Sequence, residues 1–213
     1  MKIISIEGNI GSGKSTFFRF LENYYKDDPK IIFLDEPVSL WESIKDTDGE
    51  NILSKFYKDQ TKYSFQFQIM AYITRLSLLR KISKEKDIIV ITERCLYSDY
   101  YIFAKMLYDQ NKMTEIEYQI YMKWFYEFEE EFKVYRMFYI SVNPDLCFER
   151  IKQRSRGGED SISLDYLEQC DRYHEEMINI MSKKISCLTI HANMHITNDQ
   201  YKYWAVLLFD QCT

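Results

Sequence analysis

The nonapeptide Gly8-Asn9-Ile10-Gly11-Ser12-Gly13-Lys14-Ser15-Thr16 fits the pattern G-x-x-x-x-G-K-[ST]. It follows a short β-branched run, Lys2 to Glu7 (KIISIE), and opens a helical pattern from Lys14 to Tyr25. In that strand-loop-helix setting, glycines let backbone N–H groups wrap phosphate oxygens, and the start of the helix adds positive potential. Lys14 then reaches the β- and γ-phosphates of a triphosphate such as ATP, and Ser15 supplies an oxygen for Mg²⁺. By itself the loop specifies a nucleoside triphosphate site and leaves kinase, switch GTPase and ATPase open.

Four more runs resemble the first: Lys30 to Asp35 (KIIFLD), Ile88 to Thr92 (IIVIT), Met137 to Val142 (MFYISV) and Ile185 to His191 (ISCLTIH). Each is nearly continuous in apolar residues, as strands buried on both faces of a parallel sheet are. Between them the spacing predicts helices over Asn51 to Ser83, Tyr97 to Tyr108, Glu115 to Phe132, Pro144 to Arg154, Leu164 to Met181 and Asn198 to Phe209. Such β/α alternation implies right-handed crossovers and one α/β architecture, a five-stranded, doubly wound parallel sheet flanked by helices. No linker or repeat divides residues 1–213, which read as a single domain. Six glycines and three prolines in 213 residues are about half or less of the ~7% and ~5% of average usage, which argues against turn-rich sandwiches and barrels.

The 28 basic and 33 acidic residues are interleaved and sum to a net charge of −5. No basic face for a nucleic-acid polymer or an anionic membrane emerges, so small-molecule partners are expected. Five widely spaced cysteines (Cys95, Cys147, Cys170, Cys187, Cys212) lack any C-x-x-C pairing and read as small buried residues in a reducing compartment. No apolar run reaches the ~18 residues of a membrane span. The chain begins directly on a strand pattern, without signal or transit segment, and the cytoplasm is the expected location. The acids Glu127, Glu129, Glu130 and Glu131 read as a solvated helix face.

Further chemistry sits where the strand runs end. In an open α/β sheet, ligands lie beyond the carboxyl ends of the strands. Glu36, after the second run, is therefore placed to accept the proton of a substrate hydroxyl, with a surface acid in a turn at Pro37 as the bland alternative. Thr92-Glu93-Arg94-Cys95 ends the third run. Glu93 can hold Mg²⁺ opposite the loop, and Arg94 can stand beside a transferring phosphoryl group; a plain acid-arginine salt bridge is the alternative. Arg150, Arg154 and Arg156 precede Gly157-Gly158-Glu159 and hold three of the nine arginines of the chain. Arginine's planar fork suits phosphate oxygens, so residues 150–161 read as a lid. On the long helix, Tyr57, Thr61, Ser64, Gln68, Ala71 and Arg75 form a polar or small stripe opposite Phe65, Ile69, Tyr72, Leu76 and Leu79. A polar stripe on a core helix calls for water or a ligand, and Gln68 can donate and accept toward a nucleobase edge.

Together these pieces resemble the deoxynucleoside kinase family, over nearly the whole chain. The resemblance rests on the phosphate loop, DEPVSLW (Asp35 to Trp41), YSFQFQIMAYITR (Tyr63 to Arg75), ERCLYSDYYIFA (Glu93 to Ala104), and RIKQRSR (Arg150 to Arg156) followed by LDYLEQCDRYHEEM. It implies a P-loop kinase fold with an arginine-rich lid, ATP as phosphoryl donor, Mg²⁺, and transfer to a nucleoside 5′-hydroxyl for nucleotide salvage. It also implies roles. Glu36 is the base on the 5′-hydroxyl with Arg94 beside it, and Glu93 points toward the magnesium. Trp41 and Phe103 sandwich the nucleobase, Phe67 lines its pocket beside Ala71, and Gln68 bonds its edge. Tyr57 and Glu159 hold the sugar 3′-hydroxyl, and Arg150, Arg154 and Arg156 close on the donor phosphates. Family members are generally homodimers packed through helices, so a homodimer is expected.

The resemblance also bears on base choice. Thymidine-preferring members carry small or apolar residues where this chain has Arg75 and Asp99, whereas deoxycytidine, deoxyadenosine and deoxyguanosine kinases have an arginine-aspartate pair. An ionised Asp99 only accepts hydrogen bonds, so it matches an exocyclic amino group and opposes a carbonyl. Thymidine is accordingly expected to be a poor substrate, with a thymidine-preferring or broad-specificity enzyme as the alternative. Cys95 stands where the family usually has serine, and Gly158 replaces an acid common beside Glu159. A nucleoside monophosphate kinase needs a cationic site for the acceptor's phosphate, where this chain offers Glu36 and Asp99. A guanine-nucleotide switch needs N-K-x-D, and the nearest string, Asn111-Lys112-Met113-Thr114, ends in threonine.

Overall fold

A computed structural model of the chain describes residues 1–154, the side chain of Arg154 excepted, and 162–210. Five parallel strands lie in the order β2-β3-β1-β4-β5: β1 (Lys2–Gly8), β2 (Ile31–Leu34), β3 (Ile89–Glu93), β4 (Val134–Ser141) and β5 (Ser186–His191). The continuous apolar runs behave as expected. Ile4, Ile6, Val90, Ile91, Met137 and Phe138 are buried in the middle of the sheet, while edge strands β2 and β5 are half-buried or exposed.

Strand order decides where a ligand binds. From β1 the chain crosses to β2 on one side, and from β3 it crosses over β1 to β4 on the other. The crevice beyond the ends of β1 and β3 is thus the switch point of the sheet. Ser5 pairs with Thr92 and Ile6 with Glu93, so the phosphate loop after β1 and the Glu93-Arg94 step after β3 leave the sheet side by side. Helix α1 (Lys14–Tyr24) packs Phe17, Phe18 and Leu21 into the core. The other helices are α2 (Val38–Ser43), α3 (Ile52–Lys58), α4 (Gln60–Ile82), α5 (Leu96–Ser98), α6 (Lys105–Asp109), α7 (Glu115–Phe128), α8 (Pro144–Arg154), α9 (Leu164–Met181) and α10 (Asn198–Phe209). Among the described residues no helix is long and apolar enough to cross a membrane.

Several sequence expectations need correction. The helix expected over Asn51 to Ser83 is two helices. Asp59 ends α3, and its carboxylate then accepts from the Lys62 N–H at 3.2 Å as the N-cap of α4, the usual use of a short acidic side chain at a helix start. Helix α2, missed in the sequence, begins directly after Pro37, whose fixed φ suits a first turn. The helix over Tyr97 to Tyr108 contains a π-helical turn, Asp99–Ala104. Strand β4 starts three residues early, because buried Arg136 donates to the carbonyls of Leu207 and Leu208 at 3.2 and 3.0 Å and so hides among apolar neighbours. The acidic cluster is solvated as expected at Glu127, Glu130 and Glu131, but it is not one helix face: α7 stops at Phe128, and Glu131 pairs with the Arg80 guanidinium at 2.7 Å on the surface. Of the cysteines, Cys95, Cys147 and Cys170 are buried free thiols and Cys187 is half-buried and free.

Candidate active site

The phosphate loop is bent at positions only glycine tolerates well. Gly11 has φ +82°, and a Cβ there would meet the Cys147 carbonyl oxygen at 2.5 Å; Gly13, at φ +91°, turns the chain into α1. Asn9 stiffens the loop, with its Oδ1 accepting from Ile10 N–H at 2.8 Å and its Nδ2 donating to the Leu167 carbonyl of α9 at 2.8 Å. Gly8 and Ser12 pack together where β1 ends. Lys14 is buried, its ammonium 3.4 Å from the Asn9 carbonyl and 3.7 Å from Glu93 Oε1. The Ser15 hydroxyl donates to the same Glu93 oxygen at 2.6 Å. A hydroxyl and a carboxylate converging beside a phosphate loop are hard oxygen donors that fit Mg²⁺, which takes few protein ligands and the rest from phosphate and water.

A cleft of about 680 Å³, counting its open mouth, runs from this point under the helices. Ile10, Lys14, Ser15, Glu93 and Arg94 form its inner end. Glu36, following β2, places Oε1 3.3 Å from Arg94 Nε and 3.5 Å from an Arg75 terminal nitrogen. Arg94 is 2% exposed and adopts φ +63°, rare for a non-glycine residue. Its amide donates to the Ile6 carbonyl at 3.0 Å, and its guanidinium stacks 4.8 Å from the Phe103 ring centroid.

Helices α2, α3 and α4 form the roof. Trp41, Phe67, Gln68, Ala71 and Tyr57 all line the cleft. The Trp41 indole donates to Thr74 Oγ1 at 3.0 Å and meets Phe67 edge-on, while Phe67 stacks on Phe56. The expected polar stripe is buried as well as the apolar one: Ser64, Gln68, Ala71 and Arg75 are inside, and so are Tyr72, Leu76 and Leu79, while Thr61 is exposed and Phe65 and Ile69 are half-buried. One stripe faces the cleft and the other the core, so α4 is covered on both faces.

The floor comes from the π-helical turn, which presents Asp99 and Phe103 to the cleft; π-turns often mark functional sites. Arg75 does not line the cleft. It lies behind Asp99, donating Nε and a terminal nitrogen to the two carboxylate oxygens at 2.9 and 3.3 Å and another nitrogen to the Glu93 carbonyl at 2.7 Å. Burial pushes the Asp99 carboxyl above its ordinary range, against the opposing pull of Arg75.

On the other side of the phosphate loop, Ser12, Gly13, Thr16, Arg150, Met194, His195 and Ile196 enclose a second groove. Arg150 reaches the Ser12 carbonyl at 3.3 Å and the Met194 carbonyl at 3.4 Å. The Arg154 side chain, Arg156, Gly158 and Glu159 lie outside the described residues, as does the lid reading over them.

Several residues escaped sequence reading. Val38, Leu53, Phe56 and Tyr166 also line the cleft; the first was hidden with α2, and Tyr166 looked like ordinary helix packing. Glu7 is a fully buried carboxylate that accepts from the hydroxyls of Ser5 and Ser98 and from the Cys95 thiol at 3.1 Å. The Cys95 thiol thus makes the weaker contact where a serine hydroxyl is usual. His174, buried in α9, touches Arg94.

A family model for deoxynucleoside kinases matches residues 4–207. The mitochondrial deoxyguanosine kinase of Xenopus laevis is 32% identical over 205 residues, covering 87% of this chain and 76% of that protein. A probable deoxycytidine kinase of Fowlpox virus is 32% identical over 214 residues, covering 97% and 85%. The human mitochondrial thymidine kinase 2 is 32% identical over 199 residues, covering 91% and 72%. With its P-loop kinase fold and the cleft beside the phosphate loop, the chain belongs to the deoxynucleoside kinase family.

Proposed function

We propose that the protein transfers the γ-phosphoryl group of ATP to the 5′-hydroxyl of a deoxynucleoside whose base carries an amino group, deoxycytidine, deoxyadenosine or deoxyguanosine ahead of thymidine. The observation that carries this reading is the meeting of Glu36 and Arg94 at 3.3 Å in the same cleft that Lys14 and Ser15 line. A carboxylate held there between two guanidinium groups is placed to accept the hydroxyl proton as the oxygen attacks. Lys14, Arg94 and Arg150 offset the charge on the phosphoryl group, while the backbone N–H groups from Gly8 to Thr16 grip the donor phosphates. Ser15 and Glu93 would hold Mg²⁺, which neutralises charge on the β- and γ-phosphates when bound.

Trp41, Phe67 and Phe103 enclose the base, Gln68 bonds its edge, and Asp99, fixed by Arg75, accepts from its amino group. Tyr57 and Glu159 hold the sugar 3′-hydroxyl. Residues 150–161 act as an arginine lid within one kinase domain over 1–213, Arg154 and Arg156 joining Arg150 on the donor phosphates. The groove at Met194, His195 and Ile196 takes the donor's base. The free cysteines support a reducing compartment such as the cytoplasm. Two acids, Glu36 and Asp99, line the acceptor end, which disfavours a monophosphate acceptor. Replacing the base tests the mechanism: Glu36→Gln lowers kcat by about 10²-fold or more, and a variant near the parent rate would remove Glu36 from that role.

A further inference from the structure

Arg94 is held at its guanidinium end by a residue outside every role assigned so far. His174 of α9 is fully buried, and its Nε2 lies 3.1 Å from an Arg94 terminal nitrogen. Its Nδ1 lies 2.6 Å from the Cys170 carbonyl oxygen one turn earlier in α9. A carbonyl can only accept, so the Nδ1 carries the proton. The Nε2 lone pair is then left to accept from Arg94. The ring is itself immobilised, stacked on Tyr139 of β4 at 5.9 Å and meeting Phe103 edge-on at 6.4 Å. Burial, and next the Arg94 charge, keep the imidazole neutral by drawing its pKa well below the ordinary histidine value.

We infer that His174 is a positioning residue: as a neutral, single-tautomer acceptor it fixes the Arg94 guanidinium between Phe103 and Glu36, so that the arginine faces the hydroxyl being phosphorylated. The inference rests on the proposed role of Arg94. The left-handed backbone at Arg94 fixes where its side chain starts; His174 and Phe103 fix where it ends. Arginine has several rotatable bonds, and without the imidazole its head is free to choose either Glu36 or Asp99. An error of about 1 Å in such a group can cost about 10²-fold in rate.

Two amide substitutions separate geometry from bulk. Gln carries its oxygen near the Nε2 position, toward Arg94, whereas Asn reaches only the Nδ1 position, keeping the bond to Cys170 and withdrawing the acceptor. His174→Gln is expected to keep kcat for deoxycytidine within about five-fold of the parent, and His174→Asn to lose about 10²-fold with KM changed less than about three-fold. In an Arg94→Met background, His174→Asn is expected to cost nothing further. Should the Asn protein fail to melt cooperatively, His174→Phe, which keeps the stack on Tyr139, replaces it in both comparisons. Equal losses in the Gln and Asn proteins, or losses that multiply with Arg94→Met, overturn the inference. If Arg94→Met is impaired while His174→Asn and His174→Phe match the parent, only this inference fails. If Arg94→Met itself keeps the parent rate, the assignment of Arg94 fails first.

Discussion

Asp99 receives two hydrogen bonds from Arg75, which hold both oxygens of its carboxylate, and in the proposed reading it is the residue where base choice is set. Facing a base, an ionised carboxylate rewards an amino group and penalises a carbonyl by about 1–3 kcal/mol, enough for ten-fold or more. Exchanging both members, Arg75→Met with Asp99→Ala, is expected to raise the thymidine-to-deoxycytidine ratio of kcat/KM at least ten-fold, and an unchanged ratio would contradict the assignment. The same residue predicts a pH effect. Because burial raises the Asp99 pKa, its acceptor form is lost at a pH above the ordinary aspartate range near ~3.9. A protonated Asp99 donates to a carbonyl, so the preference over thymidine narrows as pH falls, and the double variant shows no such slope. Glu36, Arg94 and Asp99 were legible in the sequence because they sit at strand ends or in quoted motifs. Glu7 and His174 were not, although both lie in quoted stretches: neither stretch gave them a role, and a buried polar residue inside an apolar strand or helix leaves no periodic trace.

At the scale of elements, the break at Asp59 does most to shape the side of the cleft proposed for the acceptor. Continuous helix through residues 51–83 would carry Phe56 and Tyr57 along the axis of α4, whereas the break folds α3 over the cleft they line. Asp59→Ala removes the N-cap of α4, worth about 1 kcal/mol, and lowers the thermal midpoint by roughly 2–4 °C. It is also expected to raise KM for the deoxynucleoside while leaving KM for ATP alone; steady-state kinetics with each substrate varied in turn check this, and equal changes in both would place the effect elsewhere. The sequence concealed the break because apolar spacing continues through it: Leu53 and Phe56 precede Phe67 and Ala71 in near-helical phase, all four buried. Capping aspartates are visible only when the period lapses. The π-helical turn was concealed for the same reason, whereas α8, α9 and α10, bounded by proline or capping residues, matched their expected spans.

For the whole molecule, the strand runs foretold the sheet, and the strand order explains why the phosphate loop, Glu36 and Arg94 meet at one crevice. One surface remains to be covered. Ile116, Ile120 and Trp124 are exposed on one face of α7, at four-residue spacing, beside exposed Ile73 of α4. Such a stripe fits the homodimer expected of this family. Sedimentation is expected to give twice the chain mass, and Trp124→Asp the monomer; a monomeric parent protein would remove the dimer. The central claim, phosphoryl transfer to an amino-bearing deoxynucleoside, is tested most directly by an acceptor panel. Purified protein with ATP and Mg²⁺ is given deoxycytidine, deoxyadenosine, deoxyguanosine, thymidine or the corresponding monophosphates, and ADP release is followed. The account predicts turnover of nucleosides and not of monophosphates, with thymidine at least ten-fold below the best amino-bearing substrate; turnover of monophosphates alone, or thymidine as the best acceptor, would contradict it.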